Sequence, residues 1–406
     1  MAVGLSALPD MYPVKGVRLG TTAAGIRKKD RRDLVVIECA PGTVTAAVFT
    51  QNRFCAAPVS IAKRHLAAGA PRALLVNTGF ANAGTGVPGE QDALRCSQAL
   101  SQLLQVATDQ VLPFSTGVIG ERLPVDRLIA GLPAAVSALN EAGWSEAAYG
   151  IMTTDTLPKG SSRRFMLGAT TVTVSGIAKG AGMICPNMAT LLAFVATDAA
   201  VSKAVLDACI GTAVRQTFNR ISVDGDTSTN DSCLLLASGR AGNPLIDKAT
   251  GADYAVLLEN ITAVFAELAQ AIVRDAEGAT KFITIDVSQG ESEADCLEVA
   301  QTIAHSPLVK TAFFASDPNW GRILAAVGRA RIPRLDVGSV NIYLDQVQIV
   351  KNGARAEDYT EDRGQAVMAK AEIHLRVELG AGQASVRLWT CDLSHEYVRI
   401  NAEYRS

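Results

Sequence analysis

Short runs of apolar and β-branched residues, broken by turn formers, fill the opening third of the chain. Residues 33–40 and 45–50 are of this kind and predict the two strands of a buried hairpin. Residues 73–76 predict another strand, running into a polar loop at Asn77-Thr78-Gly79 that closes with Asn82 and Gly84. Asparagine and glycine in such a place read as turn formers. The period then lengthens. Ala93, Cys96, Leu100, Leu103 and Leu104 recur at helical spacing over 89–106, and a second amphipathic helix is predicted over 126–142. Residues 170–177 alternate as a strand, and 191–196 form an unbroken apolar run. Helices follow over 201–217, 252–274 and 291–304, and one more opens at 317–322 with Asp317 or Asn319 as its cap. Strands are predicted at 282–287, 340–349, 371–377 and 385–390. Strands and helices interleave throughout, which argues for an α/β class with mixed sheets layered with helices.

Composition narrows the function classes. A chain of 406 residues, 48% of them hydrophobic, can bury a large core as one α/β unit or as two or three domains. A net charge of −2 offers no basic footprint for nucleic acid. No apolar run approaches the roughly 18 residues of a membrane helix, and the first residues lack a basic segment followed by an apolar core. No membrane partner and a cytoplasmic location are therefore expected. The eight cysteines, Cys39, Cys55, Cys96, Cys185, Cys209, Cys233, Cys296 and Cys391, form no Cys-x-x-Cys pair and have no histidine at zinc spacing. Cys39, Cys233 and Cys391 fall in or beside apolar strand-like runs and are expected as buried free thiols, Cys185 in the candidate loop is expected to be structural, and neither a metal nor a cofactor is expected. The four histidines fall in no Ser/His or Cys/His arrangement legible from the chain.

Candidate chemistry concentrates at Lys179-Gly180-Ala181-Gly182-Met183-Ile184-Cys185-Pro186-Asn187-Met188-Ala189-Thr190. The lysine precedes the glycines and no Gly-Lys-Ser/Thr follows, so a Walker phosphate loop is excluded; a non-catalytic nucleotide binder remains the reading from another class. A threonine before an apolar run is ordinarily the first residue of a strand. A threonine hydroxyl is also a nucleophile if a base activates it, and the amine of an N-terminal threonine is such a base. That amine exists only if the chain is cut between Ala189 and Thr190. Elsewhere, Ser115-Thr116-Gly117 reads as a strand-to-helix turn or as a pair of donors, hydroxyl and N–H, facing one oxygen. Asp224, Asp226 and Ser228 imitate the start of a calcium loop, but Thr229 stands where glycine belongs and Leu235 where glutamate belongs. A hydrogen-bonded loop is the better reading of 224–231. Glu277 sits at a helix C-terminus, where a carboxylate is unfavourable. Arg322 reads equally as a carboxylate partner and as a structural salt bridge.

The Lys179–Thr190 string resembles the cleavage signature of the ornithine acetyltransferase (glutamate N-acetyltransferase, ArgJ) family. Six further blocks resemble the same family in order: Asn77-Thr78-Gly79-Phe80-Ala81-Asn82-Ala83, Ser115-Thr116-Gly117-Val118-Ile119-Gly120, Met152-Thr153-Thr154-Asp155-Thr156, the stretch from Asp224 to Asp231, Asp317-Pro318-Asn319-Trp320-Gly321-Arg322 and Asn401-Ala402-Glu403-Tyr404. The resemblance covers the whole chain and implies a DmpA/ArgJ-like self-processing fold. It implies a cut into residues 1–189 (alpha chain) and 190–406 (beta chain), with Thr190 as nucleophile. It implies Thr116 and Gly117 as the oxyanion pair, each such donor being worth about 3 kcal/mol of barrier. Thr153, Lys179, Thr190, Glu277, Asn401 and Ser406 are implied to hold substrate. The expected reaction moves acetyl from N2-acetyl-L-ornithine to L-glutamate in arginine biosynthesis by a ping-pong route. Acetyl-CoA is left open as a second donor. A heterotetramer of two alpha and two beta fragments is implied. The runner-up is a self-cleaving aminopeptidase or amidase of the related fold, whose members generally carry serine at the position of Thr190.

Overall fold

The structure, a computed structural model, describes residues 2–27, 30–185 and 191–403. Three sheets organise it. The first has four strands in the order Val17–Thr22, Leu34–Cys39, Ala73–Phe80, Val111–Val118. The second has five, in the order Val44–Phe49, Ser232–Ala237, Leu192–Thr197, Thr170–Lys179, Lys159–Leu167. The third has seven and lies wholly in the later half of the chain, with the short strand Ile221–Ser222 at one edge.

Strand alternation decides how the first two sheets stack. Val35 and Ile37 face the same way as Leu74, Val76, Leu112 and Phe114, and meet Ile177, Leu192, Phe194, Leu234 and Leu236 of the second sheet in one core. Phe114 and Phe194 join edge to face across it, ring centres 5.3 Å apart. Leu34, Val36, Leu75 and Val111 point the other way, under the helices Gly86–Leu104 and Val125–Ser137. On the far side of the second sheet, Val174, Ala193, Val195 and Leu235 are covered by Lys203–Gln216 and Ala252–Arg274. The result is a helix–sheet–sheet–helix sandwich. The third sheet builds a separate core with Glu293–Ala304, Trp320–Gly328 and Glu361–Met368. The expected α/β class with mixed sheets and helices is what forms.

Several sequence expectations change. Residues 33–40 and 45–50 both form strands but not a hairpin: Leu34–Cys39 is paired on both edges, by Val17–Thr22 and Ala73–Phe80, so Val44–Phe49 crosses to the second sheet and pairs with Ser232–Ala237. Asn77-Thr78-Gly79 is the end of a strand rather than a loop, held in parallel register with Ser115, Thr116 and Gly117. The predicted helix over 126–142 stops at Ser137, and Asn140 instead bridges to Leu19. The predicted strand over 340–349 is a hairpin, Asn341–Leu344 and Val347–Lys351, broken where Asp345 takes a φ of 50°. Ala252–Arg274, with 23 residues and a mean hydropathy of 1.6, is long and apolar enough to cross a membrane, contrary to the reading that no run comes near that. Here its apolar face is a core face, with Leu257, Ile261, Phe265 and Leu268 fully buried.

Candidate active site

The strand ends of the two stacked sheets gather the candidate residues. Thr116 and Gly117 sit at the end of Val111–Val118, Lys179 at the end of Thr170–Lys179, and Leu191 leads into Leu192–Thr197. Gly117 adopts a φ of 132°, and a Cβ there would lie 2.3 Å from the Gly79 carbonyl carbon, so only glycine lets these two parallel strands close at their tips. Glu277 follows the long helix, and Asn401 belongs to the helix His395–Ala402. A cavity of about 260 Å³ is lined by Thr116, Gly117, Thr153, Lys179, Glu277 and Asn401, with Gly182, Ser228 and Asn230 among its other walls. Six of the residues picked out from the sequence thus meet at one place. Ala189, Thr190 and Ser406 lie outside the described residues.

Polar contacts fix the geometry. Lys179 Nζ donates to Thr116 Oγ1 at 3.3 Å. Asn401 Nδ2 donates to Glu277 Oε2 at 2.8 Å, and the Glu277 N–H donates to the Ala181 carbonyl at 2.9 Å. Gly182 leaves room for the Glu277 carboxylate, since a Cβ there would sit 2.4 Å from Oε2. The 224–231 loop serves the same site. Asp224 accepts from the N–H groups of Met183 and Ile184 at 2.7 and 2.9 Å, and from the Tyr397 hydroxyl at 3.2 Å. Asn230 Nδ2 donates to the Ala81 and Ser115 carbonyls, tying the loop to the first sheet beside Thr116.

Beneath the cavity lies a network that sequence reasoning missed. The Lys159 ammonium is fully buried between Asp155 at 2.6 Å and Asp275 at 2.7 Å. Asp155 also accepts from the N–H groups of Thr153 and Gly180, both at 2.8 Å, and Asp275 accepts from those of Thr156 and Leu157. One buried triad therefore sets the Thr153 loop, the Lys179–Gly180 turn and the end of the helix that leads to Glu277. Burial pushes the Asp155 carboxyl up, but the Lys159 and Lys179 ammonium groups and its hydrogen bonds outweigh that and hold it well below the usual carboxylate range. Desolvation pulls Lys179 down, while Asp155, Asp231 and Glu277 oppose the shift. The short-range signal for Asp155 was its place in the Met152–Thr156 block; Lys159 and Asp275 carried none beyond being charges near glycines and prolines.

Cys185 with His305, and Arg322, depart from expectation. Cys185 and His305, 120 positions apart, approach to 3.4 Å between Sγ and Nε2, a Cys/His pair the chain does not announce. Burial lifts the thiol to about 11, and desolvation lowers the imidazole, so both stay neutral near pH 7 and no thiolate nucleophile results. Arg322 Nη1 donates to the Leu308 carbonyl at 3.0 Å rather than to a carboxylate. Arg27 and Arg31 line a second cavity of about 230 Å³ that shares Gly117 and Thr153 with the first.

Comparison with known proteins agrees across the chain. A family model described as the ArgJ family matches residues 18–406. A protein of Pseudomonas fluorescens named arginine biosynthesis bifunctional protein ArgJ is 55% identical over 406 residues, 100% of both chains. Proteins of the same name from Pseudomonas syringae pv. tomato and Methylococcus capsulatus are 56% identical over 100% of both chains and 58% identical over 98% of this chain and 97% of that one. Among solved structures, one described as arginine biosynthesis bifunctional protein argJ from Bacillus halodurans is 34% identical over 50% of this chain and 95% of its own, with a TM-score of 0.48. Another, described as ornithine acetyltransferase complexed with ornithine from Mycobacterium tuberculosis, is 35% identical over 45% and 97%, with a TM-score of 0.39.

Proposed function

The chain belongs to the ArgJ family, and on that footing we propose that it is a self-cleaving acetyltransferase of arginine biosynthesis, carrying acetyl from N2-acetyl-L-ornithine to L-glutamate. The observation that carries the reading is the meeting of Thr116, Gly117, Thr153, Lys179, Glu277 and Asn401 around one cavity, against the entrance of the Leu192–Thr197 strand. Thr190 precedes that strand by one residue beyond Leu191.

In the proposed sequence the Thr190 hydroxyl attacks the Ala189 carbonyl, the peptide C–N bond breaks as the ester forms, and water hydrolyses the ester. Fragments 1–189 and 190–406 result, and two of each assemble. The new α-amine takes the proton of its own hydroxyl, which attacks the acetyl carbonyl. The Thr116 hydroxyl and the Gly117 N–H stabilise the oxyanion. Because an ammonium only donates, Lys179 fixes Thr116 Oγ1 as an acceptor and leaves the Thr116 proton free for that oxyanion. Ornithine departs with the proton held by the amine. Glutamate then takes the acetyl group by the reverse steps. Glu277, held by Asn401, faces the cationic amino group of the substrate, while Thr153, Lys179 and Ser406 hold its remaining polar groups. Acetyl-CoA acts as a second donor in the same site, a role supported by the name bifunctional that the relatives carry. The enzyme works in the cytoplasm with its amino-acid substrates.

The test is product analysis with acetylornithine, with and without glutamate. Acetylglutamate formed in step with ornithine supports transfer. Release of free acetate at the same rate whether or not glutamate is present would assign the chain to hydrolysis instead.

A further inference from the structure

Asp231 is a buried acid beside the site that the scheme above does not use. It is 3% exposed, and its Oδ2 has no hydrogen-bond partner among the described residues. Its place is set by the sheet. The Ser232 N–H donates to the Leu191 carbonyl at 2.9 Å, and Ser232 pairs with Leu192 in parallel register. On the opposite edge of the same strand, Lys179 pairs with Leu192. Asp231 and Lys179 therefore flank the entrance of this strand from its two neighbours. Both line a cavity of about 30 Å³ together with Thr116, Leu191 and Asn230. A polar space of that size suits a single water bridging the two charges.

An unpaired buried carboxylate is costly, so its retention calls for a partner or a task. The groups that face Lys179 are Asp155, Lys159, Asp231 and Glu277. Asp155 is committed to Lys159 and to two backbone N–H groups, and Glu277 to Asn401 and substrate. Asp231 faces the Ser228 hydroxyl and Lys179, and the Lys179 ammonium is the cation whose charge opposes its burial. Lys179 matters in its charged form: once neutral, its nitrogen has a lone pair, and the Thr116 hydroxyl can turn its proton toward it and away from the acyl oxygen.

We propose that Asp231 is a positioning residue of this site, the counter-charge that keeps Lys179 protonated and thereby keeps Thr116 oriented toward the oxyanion. The inference rests on the acetyl-transfer reading of the site. Burial raises the Asp231 carboxyl well above the usual carboxylate range and lowers Lys179, and the attraction between the two charges opposes both shifts.

The experiment replaces Asp231→Asn and follows two readouts. The first is kcat against pH in acetylornithine-to-glutamate transfer. The alkaline limb is expected to move to lower pH, with kcat on that limb down about tenfold, while the acid limb and the neutral-pH rate stay near those of the unaltered enzyme. The second is the titration of Lys179 by carbon NMR of labelled lysine, assigned with Lys179→Gln. Its pKa is expected to fall in Asp231→Asn, and this readout needs no turnover. A drop uniform across pH, or an unmoved Lys179 titration, overturns the proposal. Loss of transfer in the unaltered protein contradicts the functional reading and leaves the NMR result to decide this one. If Asp231→Asn does not fold, the neutral pair Asp231→Asn with Lys179→Gln is compared with Lys179→Gln alone. An equal kcat supports action through Lys179, and a further loss refutes it.

Discussion

Asp155→Ala is expected to be the most damaging single substitution outside the reacting atoms. The Lys159 ammonium has no exposed surface and two carboxylate partners, at 2.6 and 2.7 Å. Removing one partner from a buried ion pair costs about 3–5 kcal/mol. Asp275 remains, which favours the low end of that range. The N–H groups of Thr153 and Gly180 lose their acceptor as well, at about 1–3 kcal/mol for each group left unsatisfied in the interior. One carboxylate makes all these contacts, so the terms overlap, and a total of about 3–6 kcal/mol is expected. Domains are stable by only about 5–15 kcal/mol, so the change is large. Equilibrium urea denaturation measures it, with Asp207→Asn in the exposed Lys203–Asp207 helix pair as the comparison, expected to cost about 0.3–0.5 kcal/mol. The pH dependence adds a second check. Because the folded Asp155 carboxyl sits below its ordinary value of 3.8, its contribution is fully present above about pH 4 and is lost as pH falls further. That part of the acid slope should be missing in Asp155→Ala. A loss no larger than that of the surface pair, or an unchanged acid slope, would refute the reasoning.

Thr116→Val removes the hydroxyl at nearly constant volume and should lower kcat about 100- to 1,000-fold with little change in KM; a kcat within a few-fold of the unaltered enzyme counts against the oxyanion role. Gly182→Ala puts a Cβ 2.4 Å from Glu277 Oε2 and should displace the carboxylate, raising KM for the amino-acid substrates while urea denaturation changes little. An unchanged KM would show that Glu277 does not hold substrate. Thr190→Ala should leave the chain uncut and without transfer activity; retained transfer would remove Thr190 as the nucleophile.

Long periodic segments were readable because their pattern is local. The helix over 252–274 and the strand over 170–177 appear where the spacing put them, because side chains three to four apart, or two apart, share a face whatever the tertiary context. Pairing was not readable. Nothing local says that residues 45–50 should leave residues 33–40 for a strand nearly 190 positions later, since that choice depends on which edges are already occupied. The asparagine and glycine at 77–79 read as a loop, yet they extend a strand whose tip lies so close to Gly117 that a Cβ there would strike the Gly79 backbone. For the site, the resemblance brought out residues that line the cavity. The supports under them, Lys159 with Asp275, Asp224 with Met183 and Ile184, and Asp231, depend on burial and on distances that cross the whole chain. A charge bears no mark in sequence that separates a solvated lysine from one sealed between two aspartates.

Mass spectrometry of the purified protein under denaturing conditions, with sequencing of every N-terminus, tests the self-made nucleophile most directly. The account requires two fragments from active enzyme, one ending at Ala189 and one beginning at Thr190, and a single uncut chain from Thr190→Ala. Full transfer activity in a preparation whose only N-terminus is that of the intact chain would contradict it.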